Sequence, residues 1–175
     1  DLQSRRLAKI VRRCQELPGQ KLFAYLDDEG NVCEVGSADV NDYLREISGQ
    51  DFTAKDFRTW AGTVLAAQAL TEVATFRSAA QARRYVAAAV KEVASQLGNT
   101  AAVCRKCYIH PDVVEAYLEQ TLTVSLRSQR AAAPRGLNGL RQEELAVYVF
   151  LKGRARLERT NGHTNGRANT RRKAG

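Results

Sequence analysis

The sequence predicts a mainly α-helical domain with one small β-hairpin near residues 21–35, on three observations. Apolar residues recur at the spacing of a helix face in Phe57, Trp60, Ala61 and Val64, and again in Val86, Val90, Val93 and Leu97. Capping patterns, Thr53 with Asp56 and Ser78 with Gln81, stand directly before those runs. Strand-like stretches are confined to Leu22–Leu26 and Val32–Val35, on either side of a polar Asp27-Asp-Glu-Gly30 turn.

Taken in order, residues 4–17 predict a helix with Leu7, Ile10, Val11 and Cys14 on its buried side, ended by Pro18-Gly19. After the hairpin, Ser37 is the expected N-cap of a short helix reaching Ile47, stopped by Ser48-Gly49. The central helix starts at Ala54 and runs through Val64 and Leu70 toward Val73. The next opens at Ser78 and stops at Gly98. Asn99 is a natural N-cap for a further short helix, and Pro111 opens another through Val114 and Tyr117. A break at 131–136 precedes a last helix from about Arg141 to Lys152.

The 175 residues, 44% hydrophobic, are enough for one domain with a core, assigned here to 1–152. Residues 153–175 hold seven Lys/Arg and one Glu, so most of the net charge of +8 lies in a basic tail too poor in apolar residues to fold and expected to be disordered. The remainder has 20 Lys/Arg against 18 Asp/Glu, which by itself says little about nucleic acid. No apolar run is long enough for a membrane span, and no phosphate-cradling glycine loop points to ATP. Cys104-x-x-Cys107 lacks the second close pair or the histidines that zinc takes; reduced thiols are expected, with no metal or other cofactor. A start at Asp1 in a chain without methionine leads us to expect that upstream sequence is missing.

Four positions stand out as candidates for chemistry: Lys55, Arg58, Asn99 and Tyr108. Lys55 and Arg58 stand in the first turn of the central helix, where free N–H groups favour an anion. Alone, such a pair describes a solvated face as readily as a phosphate site. Asn99 follows the Gly98 stop, and Tyr108 comes nine residues later, beside Arg105, Lys106 and His110. Tyr25, Tyr43, Tyr85, Tyr117 and Tyr148 lack this setting, and His110 reads as a helix start or packing residue and not as an acid. A phenol with an ordinary pKa of about 10 needs cations and hydrogen-bond donors before it can attack a phosphodiester. A guanidinium fork and an amide suit that task.

The segments Asp51-Phe-Thr-Ala-Lys-Asp-Phe-Arg-Thr-Trp-Ala-Gly-Thr63, Leu97-Gly-Asn-Thr100 and Cys104-Arg-Lys-Cys-Tyr-Ile-His-Pro111 resemble the catalytic domain of type IB DNA topoisomerases of the compact bacterial and viral kind. The resemblance covers nearly all of residues 1–152. It implies a helical fold of the topoisomerase and tyrosine recombinase kind. It also implies an ATP- and metal-independent monomer, cytoplasmic and nucleoid-associated, that relaxes double-stranded DNA through a 3′-phosphotyrosyl link. Tyr108, Arg58 and Asn99 would be catalytic, and Lys55, Arg105 and Lys106 would contact DNA. The family's remaining arginine and its hairpin lysine would lie before Asp1, so this segment alone is expected to be nearly inactive.

A tyrosine recombinase or integrase would share the fold and the covalent chemistry, but with His-x-x-Arg where Lys55-x-x-Arg58 stands. A DNA-binding module without catalysis predicts salt-dependent binding and no covalent adduct. A zinc or dithiol protein is the third alternative.

Overall fold

A computed structural model of the chain describes residues 4–19, 21–73, 75–132 and 139–169. Among them run eight helices and one two-stranded sheet, in the order α1, β1, β2, α2, then α3 to α8. They divide into two units, Asp1–Phe57 and Arg58–Gly175, with the boundary inside α3.

In the first unit, α1 (Arg5–Gln15) opens at Ser4, whose hydroxyl oxygen accepts from the Leu7 N–H at 3.4 Å. Strands β1 (Ala24–Leu26) and β2 (Val32–Glu34) pair antiparallel with Tyr25 opposite Cys33, which is the expected hairpin. Its turn is held by the Asp27 carboxylate, which accepts from the N–H groups of Asn31 and Glu29 at 2.8 and 3.0 Å. Helix α2 (Ser37–Ser48) starts one residue earlier than expected: Gly36 is the N-cap, and its N–H donates to Asp39 at 2.7 Å. Helix α3 (Ala54–Glu72) opens with Asp56, which accepts from both the N–H and the hydroxyl of Thr53 at 2.9 and 2.7 Å.

No described residue of this unit is buried. The expected inner face of α1 is half open, with Leu7 50% and Ile10 48% exposed. Phe57, expected on the buried stripe of α3, is exposed too. Periodicity identifies which side of a helix is apolar and does not supply the surface that covers it.

The second unit holds the core. Val64, Ala67 and Leu70 of α3 pack with Val86, Val90 and Val93 of α4 (Ala79–Leu97). Cys104 of α5 (Ala101–Cys107), Val113 and Ala116 of α6 (Pro111–Leu118), Leu122 of α7 (Leu122–Ala132), and Val147 and Phe150 of α8 (Gln142–Asn169) complete it. Full burial of side chains such as Leu70 and Leu122 stabilises by about 1.5–3 kcal/mol each. The Phe76 and Tyr117 rings meet at 5.4 Å between centroids.

Two features differ from the sequence reading. Helix α7 was not expected; the turn before it is made by Gln120 at φ 58, and no glycine marks it. The last helix was expected to end near Lys152 before a disordered tail, yet α8 continues to Asn169, and residues 170–175 lie outside those described. A glycine inside a helix costs only about 1 kcal/mol, so Gly153 does not end it. Just past Gly153, Arg154 is held by Glu119, Glu115 and Asp112 at 3.0, 3.4 and 3.7 Å.

Candidate active site

The site begins at the end of α4. Gly98, at φ 64, turns the chain out of the helix, and the Asn99 N–H folds back onto the Ala94 carbonyl at 2.9 Å. The carbonyl of Leu97, one of those a helix end leaves without an internal partner, instead meets two side chains. Arg58 donates to it through Nη2 at 2.6 Å, and Asn99 through Nδ2 at 2.9 Å. A cation at a helix C-terminus is also favoured by the helix dipole.

Asn99 is therefore not the N-cap of α5. That place is taken by Thr100, whose hydroxyl oxygen accepts from the Val103 N–H at 3.3 Å. Asn99 instead closes the end of α4, its amide meeting the Leu97 carbonyl beside Arg58.

Tyr108 caps the other end of α5, where its N–H donates to the Cys104 carbonyl at 2.9 Å. Its half-buried ring lies under Arg58, with the guanidinium carbon 5.1 Å from the ring centroid. Arg58, Asn99 and Tyr108 come from α3, the α4–α5 corner and the end of α5, and Arg58 touches the setting of both others. Arg105 and Lys106 are exposed in the last turn of α5. Lys55 is exposed in the first turn of α3, three residues before Arg58. His110 is the N-cap of α6, its Nδ1 accepting from the Asp112 N–H at 3.3 Å, which is the helix-start role expected of it.

Sequence reasoning missed Thr59, Gly62 and Thr63. The Thr59 hydroxyl donates to the Cys107 carbonyl at 3.3 Å. The buried Thr63 hydroxyl donates to the Thr59 carbonyl at 2.7 Å and accepts from the His110 N–H at 3.1 Å. Between them, Gly62 lies directly under Tyr108: a β-carbon there would overlap the Tyr108 carbonyl oxygen. Their spacing of three and four residues was the available signal, because it places small and hydroxyl side chains together on one side of α3.

Cys104 is fully buried, and burial pushes its thiol pKa up, with Arg58 opposing; Cys107 is exposed. Among the described residues no group of three or more His, Cys, Asp and Glu side chains is placed to hold a metal ion. No helix there is long and apolar enough to cross a membrane.

Residues 1–133 match the family described as the catalytic core of eukaryotic DNA topoisomerase I. DNA topoisomerase 1B of Acanthamoeba polyphaga mimivirus is 34% identical over 114 residues, which are 61% of this chain and 34% of that protein. The chain thus spans about a third of the length of this relative. With the helical fold and the extent of the family match, the chain belongs to the DNA topoisomerase I catalytic-core family, of type IB.

Proposed function

We propose that this chain carries the nucleophile and two transition-state donors of a type IB topoisomerase that relaxes supercoiled double-stranded DNA. The phenol oxygen of Tyr108 attacks the phosphorus of a backbone phosphodiester, and the P–O5′ bond breaks. Tyr108 is then esterified to the 3′ phosphate. The phenol loses its proton, the departing oxygen gains one, and the released end is a 5′ hydroxyl. Rotation of that end removes supercoils, and the reverse attack reseals the strand. One phosphodiester is exchanged for another, so the cycle needs no ATP, and the donors at hand do the work a metal ion does elsewhere.

Each side chain has a task set by its chemistry. Arg58 offers a planar fork to two non-bridging oxygens, and Asn99 offers a neutral N–H to one. Neither has a proton to give at neutral pH, so protonation of the 5′ oxygen falls to another group. Arg105, Lys106 and Lys55 are assigned to the DNA backbone, where contacts position the duplex without reading its sequence. The enzyme works as a monomer in the compartment that holds the DNA.

The observation that carries this reading is the meeting of Arg58 and Asn99 on one carbonyl oxygen, with the Arg58 guanidinium over the Tyr108 ring. The test is detergent-quenched incubation of labelled duplex with the full-length protein. Wild type should yield a protein–DNA adduct and Tyr108→Phe none; an adduct from the variant overturns the proposal. Arg58→Ala and Asn99→Ala should each slow adduct formation by about 100-fold or more, the usual effect of losing a preorganised donor.

A further inference from the structure

The nucleophile's backbone is fastened to the helix that bears the arginine. Thr59 of α3 holds the Cys107 carbonyl, Gly62 makes room for the Tyr108 carbonyl, and Thr63 holds the His110 N–H. These contacts fall on consecutive parts of one short segment, residues 107–110, and come from one side of α3. Arg58 stands next to Thr59 in the same helix and reaches over the ring from there. The span from guanidinium to phenol therefore crosses one helical turn and two hydrogen bonds between threonine hydroxyls and the backbone of residues 107–110.

Thr63 has the most constrained part. It is 2% exposed, and its hydroxyl has one proton and one acceptor position already committed, to the Thr59 carbonyl and from the His110 N–H. Its proton fixes the hydroxyl rotor, which aims a lone pair at His110. We infer that Thr63, with Gly62 and Thr59, is a positioning residue for the Tyr108 nucleophile, setting the phenol against the phosphorus without touching DNA.

This rests on the assignment of Tyr108, and it makes a separate claim about rate. An attacking atom displaced by about 1 Å can lose on the order of 100-fold in rate while binding is untouched. Thr63→Val keeps the shape of the side chain and removes the hydroxyl; Thr63→Ser keeps the hydroxyl and removes a methyl group.

The experiment measures single-turnover adduct formation by the full-length protein on a duplex with a 5′-bridging phosphorothiolate. Its sulfur leaves without protonation, so acid catalysis drops out of the measured rate. Affinity is measured separately on an uncleavable duplex, and thermal unfolding is followed for each variant. Thr63→Val is expected to form adduct about 10- to 100-fold more slowly with unchanged affinity, and Thr63→Ser to restore the rate. Thr59→Ala, which releases the Cys107 carbonyl, gives a smaller loss of the same kind and serves should Thr63→Val fail to fold. A wild-type rate in Thr63→Val overturns the inference, as does an equal loss in Val and Ser variants. An adduct from Tyr108→Phe on this substrate would remove the nucleophile assignment itself, a result the Thr63 series cannot mimic.

Discussion

Arg154 of α8 reaches Asp112 in the first turn of α6 at 3.7 Å, four residues after Tyr108 in sequence. The same guanidinium holds Glu119 and Glu115, hydrogen bonding to Glu119 and the acidic neighbours raising its pKa further. Asp112 is 8% exposed, so the pair is shielded from water enough to matter. Arg154→Ala is expected to destabilise the protein by about 1–3 kcal/mol, between the values for exposed and buried pairs. Arg154→Lys should recover part of that. Urea unfolding curves of the two variants check it, and an unchanged midpoint in Arg154→Ala refutes it.

Glu144 opens α8 by accepting from the Arg141 N–H at 2.8 Å. That bond, then the Arg141 side chain and the Trp60 indole, holds its carboxyl below the ordinary value of 4.5. A carboxylate with a lowered folded pKa contributes stability in full above its unfolded pKa and loses it as pH falls through the folded one. The melting temperature should therefore decline below about pH 5 more steeply in wild type than in Glu144→Gln. Parallel melting profiles from pH 6 to pH 3 would contradict this.

The thiols should separate by reactivity. Cys107 is exposed and should react with a disulfide reagent in the native protein, whereas Cys104, buried and with a raised pKa, should react only on unfolding. Rapid native labelling of both would point to a mobile α5.

Gly98 is at φ 64, where a side chain costs about 1–2 kcal/mol. Gly98→Ala is expected to lose about that much stability and to slow adduct formation more than Gly30→Ala, a change at another positive-φ turn far from the site in sequence. Equal effects of the two substitutions on adduct formation would remove the corner from the mechanism.

Residues 170–175 contribute Arg171, Arg172 and Lys173. Their deletion should flatten the dependence of log affinity on log salt by up to about 2.7, the slope for three phosphate contacts. An unchanged slope would mean the segment does not touch DNA.

Much of the helical order was legible, because Ser78, Gly98 and Pro111 each impose a local geometry that later packing preserves. Arg58, Asn99 and Tyr108 could be singled out from their motifs, and the structure brings them together. Thr59, Gly62 and Thr63 could not: their meaning depends on which segment α3 receives, which is a property of tertiary packing. Helix α7 was hidden because its turn uses Gln120 in a conformation usually signalled by glycine. The end of α8 was hidden because the partners of Arg154 lie 35 to 42 positions earlier. Asn99 was first read as a cap, and the adjacent Thr100 took that place.

Because the Leu97 carbonyl holds Nη2 of Arg58 and Nδ2 of Asn99, neither side chain is left to wander in solvent. On the function proposed above, phosphate docking would be a trade of one oxygen for another, in which an anionic oxygen can outbid a peptide carbonyl and a neutral ligand gains little.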